Sequence, residues 1–216
     1  ILTIKCKKEI KKEFDYLTKE EVDKFLNSIP TDFSKGIRDY TLLMLLYDSG
    51  ARAQEIINLK VEDLRLDSDP VIRLFGKGNK YRTVPITNNT KDILIKYIDI
   101  NELSNNSILF SNPKGNHATT KMIAHIIDKY SSILNKNIHP HTFRHSRAMH
   151  LLEAGVNLIY IRDFLGHNSI ETTEIYAKTN ENIKRQAITN AYDFDISKNL
   201  EDWTTSENLL KELLNI

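Results

Sequence analysis

The sequence has very little cysteine and no long apolar run, and both shortages restrict what the chain can be. Cys6 is the only cysteine in 216 residues, so no disulfide can form within the chain and nothing points to an oxidising compartment. No stretch of about eighteen apolar residues is present, so the sequence predicts no membrane-spanning helix. The first residues lack the pattern of a signal peptide, and we expect a cytoplasmic protein.

Several familiar sequence patterns are missing as well. The chain contains no internal repeat, no P-loop and no dinucleotide fingerprint, so no nucleotide cofactor is predicted. It begins at Ile1 and not at a methionine, and we expect a fragment of a longer protein. The composition is that of a globular protein, and the length is sufficient to bury a core.

The net charge of +1 conceals a separation of charge along the chain. Residues 191–216 hold six acidic side chains against two lysines, whereas residues 1–12 hold five lysines and one glutamate. Residues 71–85 carry four basic side chains and no acid. Local basic patches of this kind suit a phosphate backbone, although solvated surface faces have the same composition.

Hydrophobic periodicity predicts a mainly helical chain with a small antiparallel sheet, an α+β fold. Thr18 and Glu21 predict a capping box, and residues 38–49 are apolar nearly all round, which is typical of a buried helix that Gly50 ends. Two strands, 71–75 and 81–86, are joined by a glycine-rich turn, and Pro85 favours an edge position. Further helices are predicted at 51–59, 90–100, 119–134 and 157–165, and another lies within the stretch 138–155.

Three polar side chains, two arginines and one histidine, occupy unexpected places in this pattern. Arg52 directly follows the buried helix, where a guanidinium is costly unless it is paired or faces a ligand. His141 and Arg144 fall on the same helical arc as Ala148 and Leu151, which places both on the predicted packed side of their helix. The sequence therefore calls for partners or a ligand at these positions.

A histidine and a tyrosine lie nine residues apart near the end of the predicted helical region. Gly166 is typical of a left-handed helix end, and Asn168 with Glu171 predicts a capping box that opens the next helix. His167 therefore lies in the break, and Tyr176 lies about two turns into the new helix. Taken alone, a tyrosine at this place is most simply a core aromatic.

Together these features resemble the tyrosine recombinases, the phage-integrase and Xer-like family. Ser49-Gly50-Ala51-Arg52-Ala53-Gln54-Glu55 resembles the first arginine box of that family, and Gly76-Lys77-Gly78-Asn79-Lys80 resembles its hairpin lysine motif. His141-Thr142-Phe143-Arg144-His145 is similar to its His-x-x-Arg box, and Leu165-Gly166-His167 with Tyr176 is similar to its last motif. The four boxes also occur in the family's order, over roughly residues 17–190.

The resemblance implies a role for each of these side chains. Arg52 and Arg144 would bind the non-bridging phosphate oxygens, and His167 would donate another hydrogen bond to them. Tyr176 would attack phosphorus and form a 3′-phosphotyrosine, with His141 helping to remove its proton. Lys77, ahead of Lys80, would protonate the leaving 5′-oxygen. Glu55 would orient the cations or serve as a purely structural carboxylate, and no metal or other cofactor is required.

The resemblance also implies a domain organisation and a partner. We expect residues 1–16 to be a linker from a missing DNA-clamping domain, 17–190 to be the catalytic domain, and 191–216 to be an acidic linker with an amphipathic helix. The partner would be double-stranded DNA, on which the chain would assemble as a homo-tetramer that exchanges its C-terminal helices, without a membrane. The expected DNA-binding residues are Lys5, Lys7, Lys8, Lys80, Arg82 and Arg147.

Three alternatives remain open from the sequence. A type IB topoisomerase uses the same covalent chemistry but reseals the same strand, and a fragment of this kind could also bind DNA without catalysis. A metal site is the third alternative, because His141 and His145 have a spacing common among zinc ligands. No cysteine or carboxylate of matching spacing accompanies them.

Overall fold

The computed structural model describes residues 16–76, 80–112, 117–167, 169–179 and 189, and for 177–179 only the backbone. The chain divides into two units, Ile1–Thr179 and Asn180–Ile216, and every described residue except Thr189 lies in the first. Lys5, Lys7, Lys8 and Lys77 lie outside the described residues. The same holds for Asn168 and for the predicted C-terminal helix.

Eight α-helices and a small sheet make up the described part, which confirms the predicted fold class. The sheet has the order β1-β2-β3 and is antiparallel throughout. The helices are α1 (Lys19–Asn27), α2 (Ser34–Ser49), α3 (Ala53–Ile57), α4 (Asn88–Ile100), α5 (Thr120–Ser131), α6 (Pro140–Glu153), α7 (Leu158–Leu165) and α8 (Glu171–Thr179). The strands are β1 (Leu64–Arg65), β2 (Val71–Gly76) and β3 (Lys80–Pro85), and short 3₁₀ turns occupy Val61–Asp63 and Ser132–Leu134.

Helix α2 is the buried helix that the apolar run predicts. Leu42, Leu43, Leu45 and Leu46 are all fully buried, and the helix packs against α1, α3, α4 and α6. It ends at Gly50, whose φ of 56° lies in the left-handed region, as the sequence indicates. Burial on most sides explains why its apolar positions do not form a narrow stripe.

A buried carboxylate fixes the end of α2 to two other elements. Asp48 accepts hydrogen bonds from the backbone N–H of Thr87 at 2.7 Å and from the hydroxyl of Thr90 at 2.7 Å, both at the start of α4. Its other oxygen accepts from the guanidinium of Arg147 in α6 at 2.8 Å. Because a buried charge requires such partners, Asp48 holds α2, α4 and α6 in one arrangement.

The hairpin of β2 and β3 covers the core with one face. Ile72, Leu74 and Val84 are fully buried, and Pro85 lies on the edge strand, as predicted. The opposite face exposes Phe75 and Tyr81, whose rings lie 4.9 Å apart across the two strands. The strand β1 was not predicted, because two residues are too few for alternation to show.

The first described residues pack onto helix α6. Thr18 and Glu21 form the predicted capping box at the start of α1. The backbone N–H of Leu17 donates to the hydroxyl of Ser146 at 2.8 Å, and Phe25 meets Phe143 edge to face at 5.4 Å. Helix α6 is thereby covered on one side by α1 and on another by α2, and contacts α7 and α8 as well.

Candidate active site

Arg52 lies at the N-cap of the short helix α3, immediately after the break at Gly50. Glu55 reaches back from the first turn of α3 and accepts from the backbone N–H of Arg52 at 2.7 Å and from its Nη1 at 3.1 Å. Nη2 of Arg52 donates to the carbonyl of Gly166 at 3.4 Å. One third of the Arg52 side chain remains exposed, so its guanidinium is held in place and still open to a ligand.

Arg82 belongs to the same cluster, and its role in DNA binding stays a prediction. Its Nη1 and Nη2 donate to the two oxygens of Glu55 at 2.6 and 2.8 Å, and its Nε donates to the carbonyl of Phe164 at 3.1 Å. The side chain is only 14% exposed. In β3, Arg82 lies two residues before the buried Val84 and opposite the buried Leu74, so it points to the same inner face.

The burial of Arg144 is more complete, at 3% exposure. Its Nη1 donates to the carbonyl of Gly50 at 2.6 Å, and its Nη2 donates to the carbonyl of Leu165 at 2.7 Å. Burial, together with the positive charges of Arg52 and Arg82, lowers the pKa of Arg144 to about 10, and Glu55 and Tyr176 offset this only in part. The group stays protonated at neutral pH, in a place where an anion would be stabilised.

His167 follows the left-handed end of α7 at Gly166, whose φ is 65°. Its Nδ1 lies 2.9 Å from the hydroxyl of the fully buried Thr173 in α8. Burial, followed by the charges of Arg144 and Arg52, lowers the pKa of His167 to about 4. The imidazole is therefore neutral at pH 7 and carries its proton on one nitrogen.

Tyr176 is buried on helix α8, and its hydroxyl lies 2.7 Å from Nδ1 of His145. Burial raises the pKa of Tyr176, and the charge of Arg144 offsets this only in part. Burial, the neighbouring His141 and Arg144 lower the pKa of His145. A neutral phenol thus contacts a neutral imidazole at neutral pH, and proton transfer between them is geometrically available.

His141 differs from its predicted environment. The sequence places it on the packed side of α6, but it is an exposed residue in the first turn of that helix, before the surrounding elements close over it. Its ring centroid lies 6.3 Å from that of His145, one turn further along the helix. His145, and not His141, is therefore the histidine whose described contact is with the phenol of Tyr176.

The other residues that are predicted to contact DNA lie in different environments. Arg147 is paired with the buried Asp48 at 2.8 Å and lies over the ring of Tyr47 at 5.5 Å, so its guanidinium has a structural position that the charge pattern did not indicate. Lys80 is exposed at the start of β3, as a DNA-binding side chain requires. Lys5, Lys7 and Lys8 stay predicted DNA contacts, and Lys77 stays a predicted catalytic residue.

The described residues show neither a metal cluster nor a membrane span. They contain no group of three or more His, Cys, Asp or Glu side chains that could hold a metal ion. Among the same residues, no helix has both the length and the apolar character needed to cross a bilayer.

The structure gathers Arg52, Arg144, His167 and Tyr176, with Glu55, around one site. Sequence reasoning considered His145 only as an alternative zinc ligand, assigned no role to Thr173 and expected Arg82 to bind DNA. Thr173 lies three residues before Tyr176, on the same side of α8, so helical periodicity could have found it. For His145, the signal was its position directly after Arg144 in the His-x-x-Arg box.

Known proteins that are similar to this chain include several tyrosine recombinases. A tyrosine recombinase of Pseudothermotoga lettingae is 39% identical over 177 residues, which cover 81% of this chain and 59% of the relative. The crystal structure of XerA recombinase matches with a TM-score of 0.72 at 28% identity, over 83% of this chain and 66% of that one. A post-cleavage complex of XerH site-specific recombinase bound to palindromic difH substrate matches with a TM-score of 0.69 at 29% identity. The match covers 82% of this chain and 53% of that one.

The chain spans about three fifths of the length of the Pseudothermotoga relative, which extends beyond the matched part. The Phage integrase family matches residues 15–182, a range that includes every side chain of the cluster. The resemblance inferred from the sequence boxes is thus confirmed, and the chain belongs to the phage integrase family of tyrosine recombinases.

Proposed function

We propose that this chain is the catalytic part of a site-specific DNA recombinase that cuts and rejoins strands through a 3′-phosphotyrosine. The observation that carries the proposal is the cluster itself: a buried phenol, at 2.7 Å from an imidazole, beside an arginine whose charge no carboxylate contacts in the described structure. The XerH relative, solved with its difH DNA substrate, supports the same reading. We propose double-stranded DNA as the partner and the cytoplasm as the place of action.

The electrostatics of the cluster suit a phosphodiester. Arg52, Arg82 and Arg144 contribute three positive charges, whereas Glu55 is the carboxylate that pairs with the first two. Since the excess is positive, a phosphate with one negative charge is stabilised when it binds, and a pentacoordinate transition state with more charge is stabilised further. Guanidinium groups can also donate two parallel hydrogen bonds to phosphate oxygens.

The reaction that we propose exchanges one phosphoester for another. The phenolic oxygen of Tyr176 attacks phosphorus, the bond from phosphorus to the 5′-oxygen breaks, and the strand stays attached as a 3′-phosphotyrosine. The phenol loses a proton and the 5′-oxygen gains one, for which Lys77 is the proposed donor. A 5′-hydroxyl from another strand reverses these steps and joins the new strand.

Thr173 would determine which nitrogen of His167 faces the phosphate. Its hydroxyl lies 2.9 Å from Nδ1, and by donating there it would leave the proton of the neutral imidazole on Nε2. Nε2 would then donate to a non-bridging oxygen, as the resemblance implies. This arrangement needs no second proton on the ring, which agrees with the lowered pKa of His167.

The direct test is a search for the covalent adduct on nicked candidate sites. We expect Tyr176→Phe to bind DNA as the unaltered protein does and to form no adduct, because the attacking oxygen is missing. Tyr160→Phe is the matched control, since Tyr160 is 70% exposed on α7, and it should form the adduct normally. An adduct that persists in Tyr176→Phe would remove the central claim.

A second assay separates a recombinase from a type IB topoisomerase. A recombinase exchanges strands between two copies of its site, whereas a topoisomerase relaxes supercoils on DNA of any sequence. We expect strand exchange by the full protein. Relaxation of random DNA without any exchange would instead favour the topoisomerase.

Assembly is a further part of the proposal. We propose a homo-tetramer on DNA, with the C-terminal helix of each protomer exchanged to a neighbour. Deletion of residues 204–216 should then lower the mass of the complex on DNA, as measured by light scattering, or alter cleavage. If neither the mass nor the cleavage changes, the exchange is wrong.

A further inference from the structure

The hydroxyl of Tyr176 lies within hydrogen-bond distance of an imidazole nitrogen in this structure. Nδ1 of His145 lies 2.7 Å from the phenolic oxygen, and the two ring centroids are 5.7 Å apart. His145 is half-buried on α6, and Tyr176 is buried on α8, two helices that pack directly against each other. The distance is that of a short hydrogen bond, within the range a general base requires.

We propose that His145 is a catalytic residue of this protein, the general base that takes the proton of Tyr176 during cleavage and returns it during rejoining. The inference rests on the proposed function and deepens it. It assigns to His145 the task that the sequence boxes assign to His141. Its basis is the contact between the two side chains and not the pattern of the box.

The groups that face His145 keep its ring ready to accept a proton. His141 and Arg144 face it along α6, Tyr176 faces it from α8, and His167 approaches from the break before α8. Burial, His141 and the permanent cation Arg144 all lower the pKa of His145, so its neutral form is favoured before DNA arrives. In the neutral ring, Nδ1 accepts from the phenol while Nε2 carries the ring proton.

The arrival of DNA makes His145 more basic at the step that needs it. The phosphate places negative charge beside Arg144, and negative charge nearby favours the protonated imidazole. As the oxygen of Tyr176 bonds to phosphorus and the bond to the 5′-oxygen breaks, the phenolic proton moves to Nδ1 of His145. His145 is then an imidazolium and the 5′-oxygen takes its proton from the general acid. In the reverse step, the imidazolium returns the proton to the departing phenolate.

His141 is less suitably placed for this task. It is exposed in the first turn of α6, with its ring centroid 6.3 Å from that of His145. A base must lie within hydrogen-bond reach of the proton that it removes, and the described hydrogen bond of the phenol goes to His145. The position of His141, on the open side of the cluster, suits a contact to the DNA instead.

The test uses nicked DNA in which the leaving 5′-oxygen is replaced by sulfur, so that the leaving group needs no proton. In the full protein, His145→Gln should lower the single-turnover cleavage rate by about 10²- to 10⁴-fold on both the oxygen and the sulfur substrates, the usual contribution of a general base. His125→Gln, an exposed histidine of α5, is the matched control and should cleave normally. His141→Gln is compared on the same two substrates.

A rescue experiment distinguishes lost catalysis from lost structure. Difluorotyrosine at position 176 is a more acidic phenol and depends less on a base, so it should restore much of the cleavage by His145→Gln. A structural defect would not be rescued in this way, and DNA binding by His145→Gln, measured separately, should be unchanged. Should the glutamine variant fail to fold, His145→Asn is measured in its place, since its side-chain amide is near the position of Nδ1.

The outcomes separate this inference from the proposed function. If the unaltered protein forms no adduct, the proposed function is wrong and this inference falls with it. If the unaltered protein forms the adduct and His145→Gln cleaves the sulfur substrate at the same rate, only this inference is wrong. A slow His141→Gln beside a normal His145→Gln would return the role to His141. Slow cleavage that the acidic phenol does not rescue would make His145 structural.

Discussion

Glu55 offers a quantitative test of the cluster, because one carboxylate holds two guanidinium groups. Its side chain is 3% exposed and accepts from Arg82 at 2.6 and 2.8 Å and from Arg52 at 3.1 Å. Burial alone would raise the pKa of Glu55, but the hydrogen bonds from Arg82 and the Arg52 backbone, together with both positive charges, lower it. The substitution Glu55→Gln keeps the shape of the side chain and removes the charge.

The magnitude follows from the burial of the pair. Removal of one partner from a buried ion pair costs about 3–5 kcal/mol, since the other charge is left uncompensated. The side chain of Arg52 is 33% exposed and that of Arg82 is 14% exposed, so water compensates part of the loss. We therefore expect the lower end, about 3 kcal/mol, which corresponds to a fall in Tm of roughly 6–12 °C for a domain of this size.

Urea denaturation and thermal melting of Glu55→Gln measure this effect, with Glu62→Gln as the control. Glu62 is 42% exposed and pairs with Lys60, which is 47% exposed, so its loss should cost less than about 1 kcal/mol. The lowered pKa of Glu55 sets the pH dependence. The stabilisation is present above the carboxyl's ordinary pKa of 4.5 and is lost as the pH falls through its folded value. A Glu55→Gln protein as stable at pH 7 as Glu62→Gln would refute the reasoning.

Three further predictions concern the elements around Tyr176. Thr173→Val should slow cleavage by about tenfold while DNA affinity is unchanged, since a hydrogen bond of about 1–1.5 kcal/mol that orients His167 is lost; equal cleavage rates would contradict it. Gly166→Ala should destabilise the fold by at least about 1–2 kcal/mol, because φ at this position is 65° and the new Cβ would lie 2.9 Å from Cδ of Arg82. Thermal melting measures this effect, and an unchanged Tm would contradict the prediction. The pKa of His167 is about 4 in the folded chain and 6.5 ordinarily, so the unfolded chain binds a proton first as the pH falls. The free energy of unfolding should therefore decrease between about pH 6.5 and pH 4, by on the order of 2 kcal/mol at pH 5. Urea titrations at pH 7 and pH 5 should show a smaller difference for His167→Gln.

The local part of the fold could be predicted from the sequence. The capping box at Thr18, the buried helix α2 and the left-handed ends at Gly50 and Gly166 all follow from side-chain type and spacing over a few residues, and the structure has each of them. These features depend on interactions within one or two helical turns. The same local patterns, matched in order to a family, also identified Arg52, Arg144, His167 and Tyr176.

The contacts between distant segments could not be predicted in this way. Arg52 donates to a carbonyl 114 positions later, and Arg82 contacts a carboxylate 27 positions before it. Charge counting treated Arg82 as a surface cation, although alternation with the buried Val84 placed it on the inner face of the hairpin. The alternation along a strand predicts which face a side chain lies on. The charge of that side chain predicts only that it needs a partner once it is buried.

The two glycine breaks also explain how the site can bury guanidinium groups without neutralising all of them. The left-handed ends of α2 and α7 leave carbonyl groups without partners inside the helix, and Arg144 donates to one at each end, at Gly50 and at Leu165. A carbonyl at a helix C-terminus stabilises a cation through its partial negative charge and leaves the formal charge in place. Arg82, in contrast, has a full carboxylate at Glu55. Of these two arginines, Arg144 therefore keeps an unneutralised charge that the proposed DNA phosphate would use, whereas Arg82 holds the framework.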